Sequence, residues 1–149
     1  MTLSAFARKW THPNYPPEQL TESDLRAAEA TLGFRFPVDY MTQVLQVGLP
    51  SPTIALLDSV VEGELDLSVV NDFFAPNDIV TLTGDWHSAG MPDYLIGFAD
   101  DCSGNLFCFH TTESGVWFFD HDHGTTDVVA PSFSAWINAQ VAIEPLPRS

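Results

Sequence analysis

Four short runs in the second half of the chain, YLIGFA, NLFCFH, VWFFD and TDVVA, are rich in β-branched and aromatic residues, and the turn-forming stretches DDCSG, TTESG and HGT separate them. This pattern predicts a β meander. Both alternating faces of LFCF and VWFF are apolar, so a sheet built from them needs cover on both sides. Helices must supply that cover. At 149 residues, 45% apolar and 12% aromatic, the chain is long enough to bury such a sheet in one domain. The predicted fold class is therefore α+β: a single domain in which an antiparallel β meander packs against several helices.

The helices are legible from caps and periodicity. Thr21 can cap a helix whose first turn carries Glu22 and Asp24, whose face carries Leu25, Ala28 and Leu32, and which Gly33 stops. FPVDYMTQVLQVG predicts a second helix, with Pro37 at its first position, Tyr40, Val44 and Leu45 inward, and Gly48 and Pro50 at its end. Ile79, Leu82 and Trp86 recur at helical spacing within PNDIVTLTGDW, and Ser132 can cap a last helix carrying Phe133, Trp136, Ile137 and Val141. Residues 51 to 75 show no clean period; a short strand is expected near residues 54 to 57. Residues 1 to 20, with Leu3, Phe6 and Trp10 before a proline-rich connection, read as an N-terminal arm, and residues 21 to 149 as the domain.

Charge narrows the function. Twenty acids against five Lys and Arg give a net charge of −15 at pH 7, and no Lys or Arg occurs between residues 36 and 147. Such a field repels nucleic acid and anionic membranes and attracts basic partners over long range. Acidity for solubility alone is the competing explanation. No signal segment or membrane-length apolar run is present, so a cytoplasmic location is expected. Cys102 and Cys108, one in a turn and the other inside a strand, are expected as free thiols.

The densest polar motif is Asp120, His121, Asp122 and His123, directly after WFF. If the strand continues that far, the two histidines point one way and the two aspartates the other. A metal would need a further ligand, with His87 and His110 as the available histidines, but neither stands at a local zinc spacing, and a polar strand end is the preferred reading. No metal or cofactor is expected. A hydrolase lacks its nucleophile: there is no Gly-x-Ser-x-Gly elbow, and acidic surroundings raise a thiol's pKa. Groups to stabilise an oxyanion or phosphate are scarce too. ADDCSGN lacks the spaced acids of a calcium loop, and turn chemistry accounts for Asp101, Ser103, Gly104 and Asn105. Trp86, Trp117 and Trp136 are expected in the core.

The order of these motifs resembles the SUKH superfamily of Smi/Knr-like α+β domains over roughly residues 21 to 140. The residues that carry the likeness are Phe36, Pro37, Val38, Asp39 and Tyr40; Gly97, Asp100, Asp101, Gly104 and Leu106 to Phe109; Val116 to His121; and Ser132 with Phe133. Two departures are a lone Gly48 followed by Leu49 where Gly-Gly is common, and the unmatched residues 51 to 75. Many bacterial members are immunity proteins against toxins of contact-dependent and other polymorphic secretion systems. The resemblance thus implies a non-catalytic protein that binds a cognate toxin domain, which the charge would favour as a basic nuclease or nucleic-acid-modifying enzyme. Candidate contacts are Asp100, Asp101, Glu113, Asp120 and Asp122 at the ends of the meander, and Asp58, Glu62, Glu64 and Asp66 in the unmatched segment. The alternatives are a regulatory scaffold of the same superfamily and a metal-dependent enzyme using His121 and His123.

Overall fold

The computed structural model describes residues 2–64 and 68–144, and among them are six helices and five strands. They are α1 (Thr2–Trp10), α2 (Glu22–Leu32), α3 (Val38–Val47), α4 (Ile54–Glu62), β1 (Asp72–Phe73), α5 (Pro76–Ser88), β2 (Leu95–Asp100), β3 (Leu106–His110), β4 (Val116–Asp120), β5 (Thr125–Ala130) and α6 (Phe133–Val141). The strands form one antiparallel sheet in the order β1-β2-β3-β4-β5. The α+β architecture with a meander is as the sequence predicts.

One face of the sheet is an aromatic core. Phe98 stacks on Phe109 with ring centroids 4.2 Å apart, and Tyr40 of α3 and Phe133 and Trp136 of α6 close over them. Phe98 stands two residues from Ile96, the register partner of Phe109, and so shares its face, and β2 carries a bulge between Gly97 and Ala99. The opposite face belongs to α5. Thr83 Oγ1 accepts a hydrogen bond from Gly97 N at 3.1 Å, and Trp86 packs edge-on to Phe119. A Cβ at Gly97 would stand 3.2 Å from Leu106 Cδ1 of the neighbouring strand β3, a tight contact to which that side chain would have to yield by a few tenths of an ångström. Cover on both faces holds for β2 and β3. It fails at β5, where Val128 and Val129 are exposed, because β5 is the outer strand and has a neighbour on one side only.

The motif FPVDY locks three elements together. Phe36 N donates to Glu29 Oε2 at 2.7 Å, tying α2 to the start of α3. Asp39 Oδ2 accepts from Ser134 N at 2.9 Å and from Ser134 Oγ at 3.0 Å, so α3 caps the start of α6 together with Ser132, whose Oγ accepts from Ala135 N. Tyr40 fills the aromatic core, and burial pushes its hydroxyl pKa up. Pro37 sits one position earlier than expected, as the residue preceding the first helical turn.

Two segments depart from the sequence reading. Residues 54 to 57 are the first turn of helix α4, not a strand. Leu56, Ser59 and Val60 face inward at helical spacing, while the exposed apolar residues Ile54 and Val61 on the other side blur the period. Residues 2 to 10, expected within an arm, form α1, whose Leu3, Phe6 and Trp10 are buried against α3 and α6 in the common core. Trp10 Nε1 donates to Gln140 O at 3.0 Å, and Leu3 N to Gln43 Oε1 at 2.9 Å.

Candidate functional site

A meander places alternate turns at opposite ends of its sheet, and this sorts the candidate acids. Asp100, Asp101, Asp120 and Asp122 come together at the end that carries turns 101–105 and 121–124. Glu113 lies at the other end, in turn 111–115, where it faces His110 Nε2 at 3.6 Å. It does not join the others. Asp58, Glu62 and Glu64 belong to α4 and its exit; Asp66 lies outside the described residues.

A polar network ties the two turns at the acidic end. Asp101 Oδ1 accepts from Ser103 N at 2.9 Å and Asn105 N at 2.8 Å, and Asp101 Oδ2 accepts from Asn105 Nδ2 at 3.1 Å. This carboxylate is buried and holds the turn. Gly104 takes φ +85° there, a backbone shape that suits glycine. Asn105 Oδ1 then accepts from His121 N at 3.1 Å and lies 2.6 Å from His121 Nδ1, so the first turn fixes the second. Trp86 supports the His121 ring from α5, at 5.6 Å between centroids.

The strand stops at Asp120. Its Oδ1 accepts from Asp122 N and His123 N, and its Oδ2 lies 3.0 Å from His123 Nδ1. The hydrogen bond from the His123 ring, with those of the two backbone amides, holds the Asp120 carboxyl below the usual carboxylate range. His121 and His123 therefore do not share a strand face as the alternation would have placed them. Asp120, His121 and Asp122 do bring one ligand atom each within 4.8 Å of one another, enough for a three-donor set. Asp120 and His121 Nδ1 are already engaged in the turn, while Asp122 lies on the surface, 3.3 Å from His121 Nε2. The remaining histidines do not add to it: His87 Nε2 lies 2.8 Å from Leu95 O, and His110 Nδ1 accepts from Thr112 N and Glu113 N at the far end of the sheet.

Acids that the sequence did not single out enlarge the charged end. Asp72 of β1 pairs in register with Asp100 of β2, a like-charge pair across the ladder. Desolvation is the largest cause that raises the Asp100 carboxyl, and Asp72 and Asp101 add to it; Asn71 Nδ2, at 3.3 Å, works the other way. Asp72 is raised by desolvation and then by Asp78 at the start of α5 and by Glu18. A strand pairing with a whole helix between its partners leaves no local signal. β1 has only two residues.

The other chemistries find no support at these positions. Cys102 is exposed and Cys108 buried, and both are free thiols as expected. Burial, rather than the acidic field, pushes the Cys108 thiol up, which removes it as a nucleophile. A wide concavity of about 560 Å³ at the end of α2 is lined by Arg26, Glu29, Ala30, Gly33, Phe34 and Arg35, away from the acids. Arg26 is already paired there, with Glu29 at 2.8 Å and Glu22 at 3.4 Å. Among the described residues no helix is long and apolar enough to cross a membrane. Trp136 is core, Trp86 and Trp117 partly so.

An antiparallel meander clamped between α3/α6 and α5, with a polar network across its turns, defines an α+β domain. Residues 19–139 match the model of the SMI1 / KNR4 family (SUKH-1), and the chain belongs to that family. A comparison with curated proteins gives no match. Membership is consistent with an immunity-type protein, a class that binds toxin partners and is in general not enzymatic.

Proposed function

We propose that this chain is an immunity protein that binds and neutralises a cognate secreted toxin domain, and that the toxin is basic, a nuclease or another enzyme acting on nucleic acid. The observation that carries this reading is the end of the sheet where Asp72, Asp100, Asp120 and Asp122 gather in a chain without Lys or Arg from residue 36 to 147. A nuclease cleft is basic because it grips phosphate. Carboxylates set on a stiff sheet end can occupy such a cleft in place of phosphates, and long-range attraction speeds their arrival. Catalysis by the chain itself plays no part, and a cytoplasmic location fits a protein that must meet a toxin after its entry.

The exposure of these groups supports a division of roles within this proposal. Asp122, with 73% of its side chain exposed, acts as a rim charge, and Asp101, held in its turn, supports the surface rather than touching the partner. Co-expression with the product of the neighbouring gene tests the reading: growth rescue and co-purification are expected, and failure of both returns the chain to the regulatory-scaffold alternative. Asp120→Asn with Asp122→Asn keeps the oxygen that accepts from the two backbone amides, gives up the one that faces His123 Nδ1, and should lower the association rate about tenfold with little change in dissociation. An unchanged association rate would move the interface away from the sheet end.

A further inference from the structure

Helix α4 presents two faces, and only one is used by the fold. Leu56, Ser59 and Val60 point inward, at 1%, 3% and 6% exposure. On the opposite side Ile54, Leu57 and Val61, spaced i, i+3 and i+7, form an apolar stripe with Ile54 68% and Val61 64% exposed. Asp58 and Glu62 lie beside that stripe, one helical step round the same outward face. The helix packs only lightly on other elements among the described residues.

The stripe borders a cleft of about 90 Å³ lined by Pro52, Ile54, Leu57, Val69, Val70 and Cys102. Its floor is fixed: Val70 N donates to Gln140 Oε1 at 3.2 Å, and Gln140 Nε2 donates to Ser68 O at 3.2 Å, which pins it to α6. Thr53 and Asn71 add polar groups to its lining, and Asn71 Nδ2 lies 3.3 Å from Asp100 Oδ1. Asp58 and Glu62 stand on α4 beside the stripe rather than in the cleft.

We infer that α4 and this cleft are a docking surface for a protein segment in which an apolar side chain is flanked by Lys or Arg, the apolar group entering the cleft and the cations meeting Asp58 and Glu62 beside the stripe. Resting on the immunity reading, this makes the segment part of the toxin domain. A preformed, mostly apolar recess is the kind of place in which few residues carry most of the binding energy. Charge complementarity selects the occupant. A second copy of this chain would bring Asp58 and Glu62 against their own kind at a net charge of −15 on each partner, whereas a basic segment gains from every one of those acids.

The test has two arms on the full chain. In the first, a synthetic amphipathic Leu/Lys peptide is titrated while the methyl resonances are followed by NMR. Shifts concentrated at Ile54, Leu57, Val61, Val69 and Val70 are expected; shifts at Val38 or Val129 instead, or none, overturn the inference. Ile54→Ser with Val61→Ser, both at exposed positions, should weaken the peptide at least about tenfold without moving the thermal midpoint. Asp58→Asn with Glu62→Gln serves as the second variant and should do so in low salt only.

In the second arm, a photo-crosslinker at position 54 or 61 should capture the neighbouring gene product, and one at position 38 or 129 should not; the reverse pattern rejects the surface. A chain that neither rescues growth nor binds that product removes the immunity reading, while the peptide arm still decides the docking surface. A dimer that dissociates with Ile54→Ser and Val61→Ser overturns the basic occupant in favour of a second copy.

Discussion

At the scale of residues, the acidic end combines carboxyls displaced in opposite directions. Asp72 and Asp100 face each other across the first ladder, and desolvation holds both carboxyls up, with repulsion from Asp72 and Asp101 adding at Asp100 and from Asp78 and Glu18 at Asp72. A raised folded value means that their contribution to stability is full below the ordinary carboxylate range, about pH 4, and is lost as pH rises through the folded values. Asp120 runs the other way. Held down by His123, it contributes above the ordinary range and loses that contribution as pH falls through its depressed value. Asp100→Asn should therefore raise the thermal midpoint by about 2 °C at pH 7, and the gain should vanish near pH 4. A lower midpoint at pH 7 would show that the Asn71 hydrogen bond outweighs the repulsion. Charges kept at some cost to stability are what a binding surface requires.

Elements explain what could be read in the chain and what could not. Strands β2 to β5 and helices α2, α3, α5 and α6 were legible because each carries its own signal: Thr21 and Ser132 as caps, Gly33 as a stop, and aromatic runs between turn residues. Helix α4 was not, since Ile54 and Val61 stand in water where periodicity expects polar groups. Nor was β1, whose pairing with β2 is non-local. The candidate site was half legible: the acids of the two turns were named from the sequence and lie at one end of the sheet, but Asp72 and Asp78 joined them only through the fold, and Glu113 was separated by the direction of the meander. Two outcomes belong to this scale. Asp39→Ala removes the acceptor that caps α6 and should cost about 1 kcal/mol in a denaturant titration. Removal of residues 1 to 10 takes away Leu3, Phe6 and Trp10, each worth about 1.5–3 kcal/mol in burial, a large share of a typical total of about 5–15 kcal/mol. The shortened chain should lose cooperative unfolding by circular dichroism, although the family match begins at residue 19; a cooperative melt would make α1 an accessory.

For the whole molecule, a net charge of −15 acts on stability and on recognition with opposite signs. Self-repulsion weakens the compact state and is screened by salt, while attraction to a basic partner is screened by the same salt. Added salt should thus raise the thermal midpoint and slow complex formation together. A neutral interface would leave the second quantity unmoved. The most direct measurement is the association rate of the chain with the neighbouring gene product, by stopped flow, across a salt series. Acidic steering predicts a fall of at least about tenfold between 0.05 and 0.5 M salt, with a nearly constant dissociation rate. A salt-independent association rate would contradict it.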